Sequence, residues 1–234
     1  QSGFAGIADW LRLVGIDGFD WMSHCDAIHK LSIRYENWYR KDSGIFHFPF
    51  GDEYLKHPVE QSNSMYNFNL NDWHHKKINY PETPVSDYAE CFYPGMACVN
   101  QNKSFFDFLT TETNEVQQHS GWSYQFDATK FGFYLRDNYC KSRYSDKFTH
   151  IQAEVKETPL DDNGIKYLVL DNGQKLEADL FIDCTGFKSL LLSKTFNVPF
   201  IPFEQYIPNN YAWATKIPYK DPETQIVNYT RCTA

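Results

Sequence analysis

The stretch KLEADLFIDCTG, residues 175–186, constrains the fold more than any other part of the chain. It begins with strand-like alternation and ends in the continuous apolar run Leu180-Phe181-Ile182. Alternation suits a sheet with one wet face; a run apolar at every position suits a strand covered on both faces. The segment is therefore expected to pass from an exposed hairpin into a buried sheet, then turn sharply at Asp183-Cys184-Thr185-Gly186. Two more strands are expected before it, THIQAEVKE at 149–157 and IKYLVLD at 165–171. Between the strands lie Asn163-Gly164 and Asn172-Gly173, both strong hairpin signals because these residue types accept positive φ. An antiparallel meander feeding a buried sheet, with helical patterns elsewhere, implies a mixed α/β fold.

Ile7, Trp10, Leu11 and Val14 fall at helical spacing and predict an opening amphipathic helix. Gly15 and Gly18 bracket a break, and a brief helix is expected at about 20–24. Asp127 has the character of an N-cap, with Phe126 and Phe131 as a hydrophobic staple and Tyr134 and Leu135 continuing the apolar stripe. Ala27 to Trp38 predicts one strand, with Leu31, Ile33 and Tyr35 on one face and Lys30, Ser32, Arg34 and Glu36 on the other. Periodicity alone expects Lys30 to be a surface charge. From Lys41 to about Pro94 the chain is expected to be loop-like. It is rich in aromatics, which suits a functional excursion rather than a linker.

The formal net charge of -8 argues against nucleic acid or an anionic membrane surface as the main partner. The aromatic content of 18% suits a large core or a pocket for a flat ligand. His74-His75-Lys76-Lys77 is the densest basic cluster and is short enough to be a solvated face. The six cysteines form no CxxC pair, so neither zinc nor another metal is expected. They are expected as free thiols in a cytoplasmic protein. No apolar run reaches the length of a membrane span, and no nucleophile–histidine–carboxylate triad assembles from spacing. The chain opens inside a helical pattern without an initiating methionine, and is expected to be an internal piece of a longer protein.

Several segments then converge on one family. EADLFIDCTGFKSLL at 177–191 resembles the strand and turn of flavin-dependent tryptophan halogenases. DWMSHCDAIHKLSIRYENW at 20–38 is similar to the segment in which Trp-Met precedes a lysine and a strand ending in Asn-Trp. YQFDATKFGFYLRD at 124–137 is similar to the family's Phe-Asp-Ala helix start. FHFPFG at 46–51, DYAECFYPG at 87–95 and NVPFIPFEQYIPNN at 197–210 fall in the expected order.

The resemblance implies a fragment of an FAD-binding fold of the glutathione reductase type, carrying the meander and an aromatic-rich excursion on the substrate side. Residues 1–234 would be one internal piece of the catalytic domain, with a Gly-rich motif before it and the remaining half after it. It implies FAD, used as FADH2, with O2 and chloride or bromide as co-substrates and hypohalous acid as the travelling oxidant. It also implies a separate flavin reductase and a small indole-like aromatic substrate such as tryptophan, and it allows a homodimer. Lys30 matches the lysine that delivers the halogen. Phe50 matches the phenylalanine that stacks on the substrate ring. The family often has a histidine two residues before it; here that place is Phe48, with His47 beside it, so the resemblance puts Phe48 and His47 on the substrate side with Phe50, while the shifted position favours a structural role for His47. Asp183, Thr185 and Gly186 are the expected cofactor-side residues. A flavoprotein monooxygenase hydroxylating an aromatic, or a non-catalytic binding module on the same scaffold, stays open. The isolated fragment is expected to be inactive because its sheet would expose edges.

Overall fold

The structure, a computed structural model, describes residues 3, 6–16, 18–51, 68–104 and 121–233. In chain order it contains α1 (Gly6–Leu13), α2 (Gly18–His24), β1 (Ile28–Lys30), β2 (Ser32–Glu36), β3 (Ile45–Pro49), α3 (Phe68–Asn79), α4 (Asp87–Phe92), α5 (Gly95–Asn100), β4 (Ser123–Gln125) and α6 (Ala128–Tyr134). A π-helical continuation (Leu135–Lys141) precedes β5 (Val155–Glu157), β6 (Leu160–Asp161), β7 (Gly164–Ile165), β8 (Leu168–Leu170) and β9 (Lys175–Leu176). A 3-10 turn (Gly186–Lys188), a π-helical segment (Leu190–Thr195), a helical turn (Pro222–Gln225) and β10 (Tyr229–Thr233) complete the order. These elements form two compact units, Gln1–Phe148 with Tyr219–Ala234, and Thr149–Pro218.

In the first unit the single strand expected over 27–38 divides at Leu31. Lys30 pairs with Ser123 across the antiparallel β1–β4 ladder. From Ser32 onward the chain instead lies between β10 and β3, parallel to the first and antiparallel to the second. Leu31 carries the change of partner: its N–H donates to Asn228 O at 2.7 Å and its C=O accepts from Phe50 N at 2.8 Å. The extended backbone is thus satisfied throughout, as a buried chain requires. Asn228 is itself fixed, because its side-chain amide donates to Cys98 O and Lys103 O at 3.0 and 2.9 Å. Asn102 Oδ1 accepts from Asn228 N at 2.9 Å.

Two cores flank this crossover. Leu11, Ile16, Trp21, Cys25, Tyr124, Phe126 and Tyr134 gather α1, α2 and α6 against β4. Leu31, Ala89, Met96, Cys98 and Val99 gather α4 and α5 on the other side. Trp122 packs against both. The Asp127 cap is as expected: its carboxylate accepts from Thr129 N and Lys130 N. Phe126 and Phe131 meet edge to face at 5.3 Å between centroids, the geometry of a staple.

The loop-like expectation over 41–94 fails, since the stretch carries β3, α3 and α4. The α3 sequence, FNLNDWHHKKIN, has little apolar periodicity, and its support is tertiary. Trp73 meets Tyr88 edge to face at 5.7 Å, and Lys76 Nζ pairs with Asp87 at 2.7 Å. Among the described residues no helix is long and apolar enough to cross a membrane. None of the six cysteines is joined in a disulfide among the described residues.

The second unit contains the expected meander, β5-β8-β9, in shorter strands than the sequence suggests. Gly173, at φ 83°, takes the left-handed position of the turn between β8 and β9. The Asn163-Gly164 signal also marks a hairpin, between β6 and β7, although Gly164 lies within the ladder opposite Asp161. The buried-sheet expectation for Leu180-Phe181-Ile182 is overturned. These residues form no strand, and Leu180 and Ile182 are 74% and 77% exposed. Among the described residues no strand runs alongside to take up their backbone groups.

Replacing Asp127 with Ala leaves two amides of the first α6 turn without their acceptor. The expected loss is about 1 kcal/mol of unfolding free energy, with Asp127→Asn close to wild type, measured by urea denaturation.

Candidate active site

Lys30 is the last residue of β1, and both neighbours in sequence pack inward. Because Leu31 fills one core and β4 covers the other side, Lys30 is left 5% exposed. The surface-charge expectation drawn from periodicity is therefore wrong: alternation assumes one wet face, and here both faces are covered. The Lys30 ammonium donates to Gly3 O at 3.3 Å and lies 5.2 Å from the centre of the Phe50 ring. Burial holds its pKa below the ordinary lysine value, while the nearby Cys232 pulls in the opposite direction. Burial beside a carbonyl and an aromatic face disfavours the charged form of this amine.

Phe50 is placed by its backbone as much as by its ring. Its N–H donates to Leu31 O at 2.8 Å and its C=O accepts from Gly121 N at 3.2 Å. The two remaining residues of this group part company. His47 Nδ1 lies 2.9 Å from Ser32 Oγ, and its ring meets Tyr229 edge to face at 5.2 Å. Phe48, one residue on, is 60% exposed. The structure thus brings Lys30 and Phe50 together, gives His47 a partner within its own sheet, and leaves Phe48 in solvent.

A family model described as tryptophan halogenase matches residues 2–234. The chain belongs to the tryptophan halogenase family. One relative, the tryptophan 6-halogenase SttH of Streptomyces toxytricini, is 28% identical, covering 100% of this chain and 45% of that protein. The 7-chloro-L-tryptophan 6-halogenase KtzR of a Kutzneria strain is 29% identical with the same coverage. The solved apo structure of VirX1 superimposes with a TM-score of 0.79 at 30% identity, over 100% of this chain and 44% of that one. SttH has also been solved and gives a TM-score of 0.76 at 26% identity. This chain thus shares with its family the mixed α/β fold expected from the sequence. It spans about 45% of the length of these curated relatives.

The other expected site residues lie in the second unit. One Asp183 oxygen accepts from Thr185 N and Thr185 Oγ1 at 3.0 and 2.6 Å. The other accepts from Leu191 N and Leu192 N at 2.8 and 3.2 Å. Thr185 Oγ1 in turn accepts from Leu190 N at 2.9 Å. Four donors hold the Asp183 carboxyl down at about 2, the Thr185 hydroxyl foremost. Asp183 and Thr185 are therefore tied into the turn. Gly186 is different: its φ is +62°, and a Cβ there would meet nothing within 4 Å. Its backbone faces open space in a conformation that side-chain-bearing residues rarely adopt.

Sequence patterns did not single out Gly3, Gly121, Ser123 or Cys232 around Lys30. A carbonyl contact, a ladder partner and a close backbone approach depend on segments distant in sequence, and a single chain carries no signal for them. Two cavities of about 260 and 250 Å³ flank His29, on the neighbouring position of β1. Lys30 lines neither of them.

His47 gives this site a measurable pH dependence. Burial, reinforced by the Arg34 guanidinium, lowers its pKa from 6.5 to about 4. Between those values the unfolded chain binds a proton that the folded chain refuses, so stability falls as pH drops through the window. Denaturant midpoints taken from pH 7 to pH 4 should fall less steeply for His47→Gln than for the wild type. Parallel curves would assign the slope to other groups.

Proposed function

We propose that this chain is the lysine-bearing part of a flavin-dependent halogenase, and that Lys30 passes the halogen to an indole-like ring lying against Phe50. The observation that carries this proposal is the buried Lys30 amine 5.2 Å from the Phe50 ring centre. Reduced FAD, when bound, would supply two electrons to O2, which takes two more from chloride or bromide to give hypohalous acid, with oxidised FAD and water as the other products. A separate flavin reductase would furnish FADH2. Tryptophan, or a related electron-rich aromatic, is the substrate class that the relatives' names suggest.

Delivery of the halogen falls to the chain's own residues. Lys30 can donate an N–H to hypohalous acid; once deprotonated, its lone pair can instead attack the halogen, the halogen–oxygen bond breaking as hydroxide leaves and takes an amine proton to form water. Burial favours the deprotonated form, and the covered faces of β1 keep water from consuming the oxidant. An arginine at this place would stay protonated and lack a compact nucleophilic nitrogen. Phe50, fixed at both ends of its peptide, offers a flat face on which a ring can stack. Offset stacking of this kind contributes about 0.5–1.5 kcal/mol beyond burial. In the second unit the Gly186 backbone has the room to meet a flavin, with Asp183 and Thr185 holding its turn in shape.

The test uses the complete protein with reduced FAD, oxygen, halide and a panel of indoles. Lys30→Ala should keep FAD binding and lose halogenated product by roughly a hundredfold or more, and Lys30→Arg should not restore it. Phe50→Ala should raise KM by about two- to tenfold. Normal product from Lys30→Ala would remove the assignment. Product that forms without halide would point to hydroxylation instead.

A further inference from the structure

We propose that Gly121 is a positioning residue for the Lys30–Phe50 pair: its missing side chain lets the segment entering β4 lie against the Phe50-Gly51 peptide, and so sets the spacing between amine and ring. The proposal rests on the roles of Lys30 and Phe50 in halogen delivery and ring stacking.

The approach at Gly121 is closer than any side chain allows. A Cβ there would lie 2.6 Å from Gly51 N, 3.0 Å from Gly51 Cα and 3.1 Å from Phe50 C. All three are backbone atoms, so none can swing aside as the end of a flexible side chain would. The φ of Gly121 lies outside the left-handed region, so the requirement is for space and not for conformation. By contrast, a Cβ at Gly132, in α6, would meet nothing within 4 Å.

Neither side of this contact is free to retreat. The Phe50 peptide is held between Leu31 O and Gly121 N. Leu31 is a core residue adjoining Lys30. On the opposite side, Trp122 packs against both cores and donates from Nε1 to Tyr124 Oη at 3.2 Å. Ser123, next along, is the ladder partner of Lys30. Gly121 thus stands two residues from the strand that supports the amine and in contact with the peptide that supports the ring. A methyl group at 121 has to push these two supports apart. Close-packed surroundings transmit such a displacement instead of absorbing it.

Chemical labelling of Lys30 in the complete protein tests this without using halogenation. Trace acetylation with acetic anhydride across pH, read by mass spectrometry of the Lys30 peptide, gives the midpoint at which the amine becomes reactive. Cys232 is the ionisable neighbour acting on Lys30 and is unchanged in every variant. Gly121→Ala should move the midpoint up towards the ordinary lysine value. Gly132→Ala should leave it in place. A Gly121→Ala protein with lowered Tm but an unaltered Lys30 midpoint has lost packing alone, and that result overturns the proposal. If Gly121→Ala does not fold, amide hydrogen exchange in the unsubstituted protein decides. Slow exchange at both Phe50 and Gly121 supports the clamp, and rapid exchange at either overturns it. Because labelling does not depend on turnover, an active Lys30→Ala enzyme would refute the catalytic assignment and leave this result standing.

Discussion

Leu31 is the hinge on which the first unit is built. Its N–H is held by Asn228 and its C=O holds Phe50. Those two bonds let one extended segment leave the β1–β4 ladder and enter the β10-β2-β3 sheet without stranding a backbone group. The apolar side chain at the same position fills the core under α4 and α5. One residue therefore satisfies backbone, core and sheet topology together. Its neighbours inherit the result: Lys30 and Ser32 are buried by the elements that Leu31 draws in from either side.

A buried lysine is costly, and its persistence needs a reason beyond stability. Removing an ammonium from water disfavours its charged form. Among the described residues Lys30 meets a carbonyl and an aromatic face, and no carboxylate pairs with it. An ion pair would have favoured the charged form, whereas these surroundings disfavour it. The contrast with the surface lysines is plain: Lys76 and Lys130 each meet an aspartate, and those partners raise their pKa values.

Local chemistry was legible where it is short in range. The Asp127 cap, the Phe126–Phe131 staple and the Gly173 turn each follow from a few adjacent residues, and the structure contains all three. The family was legible from the order of several motifs. Illegible features depend on what arrives from elsewhere. Alternation put Lys30 in solvent because it cannot foresee a strand covered on both faces. The polar α3 sequence concealed a helix anchored by Tyr88 and Asp87. The apolar run at 180–182 promised a sheet interior, which needs flanking strands to become one.

The parallel pairing of β2 with β10 also carries a temporal consequence. Arg34 and Tyr229, which share a hydrogen bond, are 195 positions apart. On a ribosome the front of the chain emerges long before the strand that completes its central sheet. Leu31 must wait for Asn228, and one edge of β2 stays open for the whole interval. Contacts this remote in sequence close slowly, and an uncovered edge invites the wrong neighbour meanwhile. Nascent chains of this protein therefore carry that open edge until residues 229–233 have been made.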